Sequence, residues 1–392
     1  MRNSSNAKLV LEDGTVFRGR RFGAMADAEG EVVFNTAMSG YQEIATDPSY
    51  AGQIVVMTYP QIGNYGVALD DFESRRPFLS AMVVKEVSRI ASNWRSGATL
   101  SDYLSAKGIP GMEGIDTRML VRHLRTRGAM RGVIGNGDIS DEVLVSRAKA
   151  IPTMAGRDLA IGVTKGQVYA WDGDLIPINS HWQQQDLFGG NPNRQFHVVV
   201  VDYGVKWNIL RCLVNAGCRV TVVPATVSAD EILRLAPDGV LLSNGPGDPE
   251  PLLGTVGTIR NLLGHVPILG ICLGHQLLGL AAGGKTYKMK FGHRGSNHPV
   301  LDLQTREVEI TSHNHGFSVD ADSLPQSKVE ITHINLNDQS VEGLRLRDVP
   351  GFSVQYHPEA APGPHDAHYL FHRFTTMMTE FRGQKASHAE AE

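Results

Sequence analysis

Cys272 is the residue whose surroundings most plainly specify chemistry. It sits in Gly270-Ile271-Cys272-Leu273-Gly274-His275-Gln276, directly after the apolar run Val266–Ile271 and at the start of a helical pattern. This is the G-x-nucleophile-x-G elbow, in which a strand turns into a helix so tightly that glycines are wanted on either side and the nucleophile is held out at the top edge of a sheet. The amides and dipole of a helix N-terminus favour a thiolate at such a position. A free cysteine is by default a buried apolar residue, and that is the reading for Cys212 and Cys218, which lie on a helix face and at the start of a strand without glycine brackets.

A nucleophilic thiol needs a base, and the base needs an orienting partner. Fifteen histidines compete for the role. His275 is nearest but one helical turn on, so its side chain need not point at the thiol, and it reads as structural. His357 ends the strand-like run Phe352–Tyr356 and is followed by Pro358-Glu359. Proline pushes its predecessor into extended backbone, where residues i and i+2 face the same side, so Glu359 is placed to fix the His357 tautomer and leave the other ring nitrogen for Cys272. A third element is Ser243-Asn244-Gly245-Pro246-Gly247-Asp248-Pro249, after the strand-like Gly239–Leu242. Such density of glycine and proline means a turn. At the carboxyl end of a neighbouring strand, however, an exposed Gly245 N–H would join that of Leu273 as an oxyanion hole, which acyl transfer needs because charge gathers on the carbonyl oxygen.

The elements that must hold these groups follow from the pattern of the chain. From His197 onward, strand-like runs at His197–Asp202, Arg219–Val223, Gly239–Ser243 and Val266–Ile271 alternate with helical patterns at Val205–Ala216, Ser228–Ala236 and Leu252–Leu263, with Ser228 and Glu231 spaced as a capping box. That rhythm predicts an open, largely parallel sheet with helices on both faces and ligands at the carboxyl ends of its strands. Shorter strands follow, then an amphipathic helix carrying Leu370, Phe374, Met378 and Phe381. Residues 8 to 150 read differently, as a compact mixed α/β domain: strands flank the Asp13-Gly14 turn, and a helix runs from an Asp116 cap to a stop at Gly128. The turn-rich stretch 152–196, ending in the polar His181–Arg194, places a linker between the two. The expected organisation is thus 1–151, a linker 152–196, a second domain 197–383 and a loose polar tail 384–392.

Composition removes other classes of function. The chain has 392 residues, 42% hydrophobic and 20% charged, which suits a globular protein of two or three domains. A net charge of −4 gives no broad footprint for nucleic acid or anionic membranes. No apolar run approaches the roughly 20 residues that span a bilayer, and no signal-peptide pattern precedes the first strand. Three cysteines are too few for a disulfide framework and suit a reducing compartment. The expectation is a cytoplasmic protein without nucleic-acid or membrane partners.

The motifs in their order resemble a class I (triad) glutamine amidotransferase. Further segments, namely Asn35-Thr-Ala-Met-Ser-Gly-Tyr-Gln-Glu43, Thr46-Asp-Pro-Ser-Tyr50, Tyr59-Pro-Gln-Ile-Gly-Asn64, Lys290-Phe-Gly-His-Arg-Gly-Ser-Asn-His-Pro299 and Asn314-His-Gly-Phe317, are similar to the small, glutaminase subunits of carbamoyl-phosphate synthases. The resemblance runs from about Leu9 to Phe381. It implies that glutamine is held by Ser49, Gln276, Asn314, Gly316 and Phe317 with the amides of Leu273, Gly245 and Gly247. It also implies that ammonia passes to a large synthetase subunit, which makes carbamoyl phosphate from bicarbonate and ATP for arginine and pyrimidine synthesis. No metal or organic cofactor is implied for this chain; ATP and Mg belong to the large subunit. The rival readings are the glutaminase of another synthase, against which the amino-terminal motifs argue, and a non-catalytic regulatory scaffold, against which the intact triad argues.

Three patterns are set aside. Gly279 to Thr286 matches G-x-x-x-x-G-K-[ST] letter for letter, yet a P-loop follows a strand and opens a helix, whereas Gly279 falls inside the helix that the elbow begins. His365, His368 and His372 share a helical spacing without an internal Glu, which suits a solvated or core-edge role better than metal ligation. The stripe Arg118, Arg122 and Arg125 reads by default as a solvated face.

Overall fold

The computed structural model describes residues 6–171 and 195–389, which form two units. The first comprises residues up to 157 with 288–297 and 361–363. Its strands close into a barrel in the order Asn6–Leu11, Val16–Gly23, Pro110–Glu113, Ala81–Val83, Gln53–Met57, Ala28–Asn35 and Met130–Asn136. The hairpin expected at Asp13-Gly14 forms, pairing Leu9 with Phe17, and Gly14 takes a positive φ of 92° that the turn requires. Along Gln53–Met57 the side chains alternate between two cores: Ile54 and Val56 pack with Leu120 and Leu124, Val55 and Met57 with Tyr41 and Leu104. Both faces of that strand are therefore buried, which explains an unbroken apolar run. Leu120 and Leu124 belong to the helix Thr117–Arg127, capped by the Asp116 side chain on the Met119 N–H and ended at Gly128 as its sequence predicts. Arg118, Arg122 and Arg125 line its exposed side.

The second unit is built on a ten-stranded sheet. Its centre is parallel, with Cys218–Pro224, Phe196–Asp202, Gly239–Leu242, Ile268–Ile271 and Gly351–Val354 side by side. Val199 and Val201 face one core, with Val256, Ile259 and Leu277; Val198 and Val200 face the other, with Ile209, Leu213 and Phe374. Helices thus cover both faces, as the alternating pattern requires. The parallel character is confined to this centre. Antiparallel strands extend both edges: Tyr169–Ala170 beyond Cys218–Pro224, and Val341–Leu346 and Val329–Asn335 beyond Gly351–Val354. From Phe196–Asp202 the chain moves to the strand on one side and then returns to Gly239–Leu242 on the other, so the sheet's switch point lies between those first and last strands.

Two expectations need correction. Part of the stretch assigned to the linker is structural, since Ala160 is fully buried in the second unit's core and Tyr169–Ala170 extends its sheet. The polar segment His181–Arg194 that suggested the boundary lies outside the described residues. The tail is not loose from 384, because the last helix spans Tyr369–Ala389. Gly383 costs such a helix only about 1 kcal/mol, and the residues after it are helix formers. The decoy phosphate loop is resolved as anticipated: Gly279 lies within the helix Leu273–Ala281, and Gly283, at φ 102°, follows its end. Among the described residues no helix is long and apolar enough to cross a membrane.

Close packing around the elbow gives a direct test. A Cβ at Gly274 would collide with the Leu242 carbonyl oxygen, whereas one at Gly254, on the helix Leu253–Leu262, would meet nothing within 4 Å. Gly274→Ala should lower stability by about 1–3 kcal/mol, and Gly254→Ala should leave it unchanged or raise it by up to about 1 kcal/mol. Urea midpoints of the two variants check this; equal midpoints would remove the steric account of the elbow.

Candidate active site

The strand Ile268–Ile271 ends at Cys272, and the helix Leu273–Ala281 starts with the next residue. Cys272 absorbs the whole change of direction at φ 55° and ψ −102°, a conformation that costs a residue with a Cβ about 1–3 kcal/mol. Neighbouring strands hold it there. The Cys272 N–H donates to the Val354 carbonyl at 2.9 Å, and the Gly274 N–H to the Ser243 carbonyl at 3.0 Å. A Cβ at Gly270 would stand 2.7 Å from the Gly274 carbonyl oxygen, so both bracketing glycines are sterically required. As the first helical residue, Leu273 has no carbonyl one turn earlier for its N–H.

His357 follows the strand Gly351–Val354, and its N–H donates to the Ser312 carbonyl at 2.8 Å. Its Nδ1 lies 2.7 Å from Glu359 Oε1, the contact predicted from the i, i+2 spacing across Pro358. Its Nε2 is buried and makes no hydrogen bond, and the Cys272 side chain is among the groups that act on the ring. Glu359 is fully buried and pairs with Lys206 Nζ at 3.0 Å. Lys206 Nζ also donates to the Ala360 carbonyl at 2.6 Å, and Asn208 Nδ2 to the carbonyl of Glu359 itself.

These contacts set the protonation states. Burial would push the Glu359 carboxyl up, but Lys206 and His357 beside it hold it well below the ordinary carboxylate range. Burial and Lys206 both oppose a charged His357; the Glu359 carboxylate and the hydrogen bonds to Glu359 and Cys272 outweigh them and raise it. His275 behaves oppositely. Fully buried with Nδ1 2.9 Å from Ser353 Oγ, it is pushed down to about 3 and stays neutral, in keeping with a structural role. Cys218, also buried, is pushed up to about 12.

The remaining predicted residues divide by location. Gly245 comes beside Leu273: a Cβ on Gly245 would collide with the Tyr203 carbonyl oxygen and stand 2.9 Å from Leu273 Cδ2. Gly247 follows at φ 96° and bridges to Asp158. Asn314, Gly316 and Phe317 share the strand Val308–Val319, and the Cys272 thiol donates to the Asn314 carbonyl at 3.6 Å. Gln276 Nε2 donates to the Phe317 carbonyl at 2.9 Å and to Gln355 Oε1 at 3.0 Å, so this side chain ties the elbow helix to the strand Val308–Val319 and to the residue after Gly351–Val354. Ser49 lies in the first unit, buried in the turn Pro48–Tyr50 with its N–H on Asp47 Oδ1 at 2.9 Å. Sequence reasoning missed Lys206, Asn208 and Gln355. The available signal for Lys206 was a single lysine between Val205 and Trp207, four residues after the end of the buried strand Phe196–Asp202.

A thiol on a strand-to-helix elbow and an imidazole raised by a buried carboxylate are the groups of an acyl-transfer site of the amidotransferase type. The sequence bears this out, matching Glutamine amidotransferase class-I over residues 199–377. Over residues 9–134 it matches the CPSase domain of the carbamoyl-phosphate synthase small chain. The carbamoyl phosphate synthase small chain of Rhodopirellula baltica is 54% identical over 97% of this chain and 98% of its own length. That of Syntrophotalea carbinolica is 55% identical over 96% and 98%, and that of Thermotoga maritima 49% over 97% and 100%. The chain belongs to the carbamoyl phosphate synthase small chain family.

Two measurements probe the site. Exposure does not separate the thiols, at 2% for Cys272, 6% for Cys212 and 0% for Cys218, so their order of reaction reports chemistry alone. Iodoacetamide should modify Cys272 first, with glutamine protecting it, as read by peptide mapping; earlier labelling of Cys212 or Cys218 would contradict the pairing with His357. Glu359 is depressed in the folded state, so its contribution to stability is present above the ordinary glutamate value of 4.5 and is lost as pH falls below it. The gap in urea midpoint between wild type and Glu359→Gln should therefore narrow as pH is lowered from about 6 to about 3. A constant gap over that range would mean that Glu359 is not held as a carboxylate.

Proposed function

We propose that the chain hydrolyses the side-chain amide of glutamine through a thioester on Cys272. The observation that carries this reading is the 2.7 Å contact between His357 Nδ1 and Glu359, in an imidazole on which the elbow thiol also acts. His357 already carries the proton of the pair, so Cys272 Sγ attacks the amide carbon as its thiolate. The N–H groups of Leu273 and Gly245 stabilise the oxyanion. His357 then protonates the departing nitrogen, and ammonia leaves. Water attacks the thioester with His357 as general base, releasing glutamate and restoring the thiol. Glu359, backed by Lys206, keeps the imidazole oriented and supports its positive charge. Within the second unit, glutamine is held by Gln276, Asn314, Gly316 and Phe317 with the amides of Leu273, Gly245 and Gly247. The steps use protein groups and water, so the chain needs no metal or cofactor of its own.

The ammonia is delivered to a large synthetase subunit that carries ATP and Mg and makes carbamoyl phosphate from bicarbonate, supplying arginine and pyrimidine synthesis. The first unit, which supplies none of the triad, is the docking surface. The match over residues 9–134 favours this over the glutaminase of another synthase. A reducing cytoplasmic setting suits three free thiols.

Cys272→Ser should lower glutamine hydrolysis about a thousandfold or more while the complex with the large subunit still makes carbamoyl phosphate from free ammonia. The wild-type chain alone, given glutamine, ATP and bicarbonate, should release glutamate and ammonia but no carbamoyl phosphate, and adding the large subunit should speed glutamate release. Retained hydrolysis by the serine variant would refute the nucleophile, and carbamoyl phosphate from the lone chain would refute the division of labour.

A further inference from the structure

The segment Asn35–Glu43 supplies none of the triad, yet it is tied by hydrogen bonds on both sides of Gly40. Asn35 Nδ2 donates to the Tyr50 hydroxyl at 2.8 Å, and its Oδ1 accepts the Ala37 N–H at 2.7 Å. The Gly40 N–H donates to the Tyr65 hydroxyl at 2.6 Å, and the Tyr41 ring stacks on Tyr65 with centroids 4.2 Å apart. Gln42 Oε1 accepts the Ala68 N–H at 2.8 Å. Gly40 itself has a φ of 80° and is covered by Pro362 of the same unit. A Cβ there would collide with Pro362 Cβ and Cγ and stand 3.1 Å from its Cδ. The Pro362 carbonyl accepts Ser296 Oγ at 3.2 Å.

Pro362 is three residues after Glu359. Between them Ala360 and Ala361 take φ values of 57° and 51°, costly for residues with a Cβ and kept only where the surroundings over-determine them. The surroundings do so at both ends. On the Glu359 side, Lys206 holds the Ala360 carbonyl and Asn208 the Glu359 carbonyl; on the other, Gly40 and Ser296 hold Pro362.

We propose that Gly40 is a positioning residue for glutamine hydrolysis: its bare Cα lets Pro362 seat, and the short strained link back to Glu359 then fixes the carboxylate under His357. This rests on the triad reading above. Gly40 touches neither glutamine nor the thiol in this account, so its loss lowers turnover and leaves substrate affinity alone.

The experiment compares Gly40→Ala with Gly108→Ala in the full-length chain, following glutamate release and thermal unfolding. Gly108 has a similar φ of 72° with nothing within 4 Å of an added Cβ, so it reproduces the backbone strain without the collision. Gly40→Ala is expected to melt below Gly108→Ala, as the collision with Pro362 requires, yet to stay folded at the assay temperature, to lose kcat by about tenfold or more, and to keep KM within about twofold, while Gly108→Ala keeps both. Ser296→Ala, which removes only the hydrogen bond to Pro362, is expected to show the same split at smaller amplitude, and it decides the matter if Gly40→Ala does not fold. An unchanged kcat in folded Gly40→Ala, or a change confined to KM, overturns the proposal, as does an unchanged kcat in Ser296→Ala. Cys272→Ser, run alongside, separates the two readings: if it is inactive while Gly40→Ala turns over normally, only the Gly40 proposal fails, whereas activity in Cys272→Ser overturns the triad and this inference with it.

Discussion

Everything at the site depends on one backbone constraint, the reversal of direction at Cys272 within a single residue. A strand can become a helix there only if nothing protrudes at Gly270 or Gly274, and those glycines are enclosed by the Leu242 carbonyl and by each other. The strained Cys272 is in turn held by its own N–H on the Val354 carbonyl and by the Gly274 N–H on the Ser243 carbonyl, just past the neighbouring strand. The valine-rich sheet, buried on both faces, supplies the stiffness that keeps such a conformation populated. What the strain yields is a thiol and a helix N-terminus delivered to the same place.

The electrostatics form a chain of three buried charges. Lys206, Glu359 and His357 come from two separate stretches of sequence and meet where water is excluded. Taking a single ionised group into such a place costs several kcal/mol, and breaking a buried pair costs more than forming it gains. The arrangement therefore contributes definition of geometry more than net stability. Lys206 has a double task, since the same ammonium neutralises the carboxylate and anchors the carbonyl of Ala360.

Much of this was legible in the residues, for identifiable reasons. The elbow announces itself because no other residue type fits its brackets, and His357-Pro358-Glu359 does so because proline fixes the extended backbone that brings i and i+2 together. The helix Thr117–Arg127 was bounded correctly by its caps. Closure of the first unit into a barrel was not legible, because Ala81–Val83 and Pro110–Glu113 are too short to carry a pattern and pair with strands far away in sequence. Lys206 was hidden because a lysine at the first turn of a helix looks like a solvated one; only the fold puts a carboxylate beside it. The antiparallel edges escaped because β-pairing direction leaves little mark on strands of four to seven residues.

The placing of base and orienting carboxylate on one three-residue stretch bears on how the site can be altered by heredity. His357 and Glu359 ride on the same backbone, locked by the proline between them, so their mutual geometry is copied whenever that tripeptide is copied. A single codon inserted inside it would turn Glu359 to the opposite side and disarm both groups at once. A point change at Cys272 leaves the pair intact. Loss of function in descendants of this gene should accordingly accumulate first at the thiol, with an idle His-Pro-Glu persisting beside it as a trace of the former chemistry.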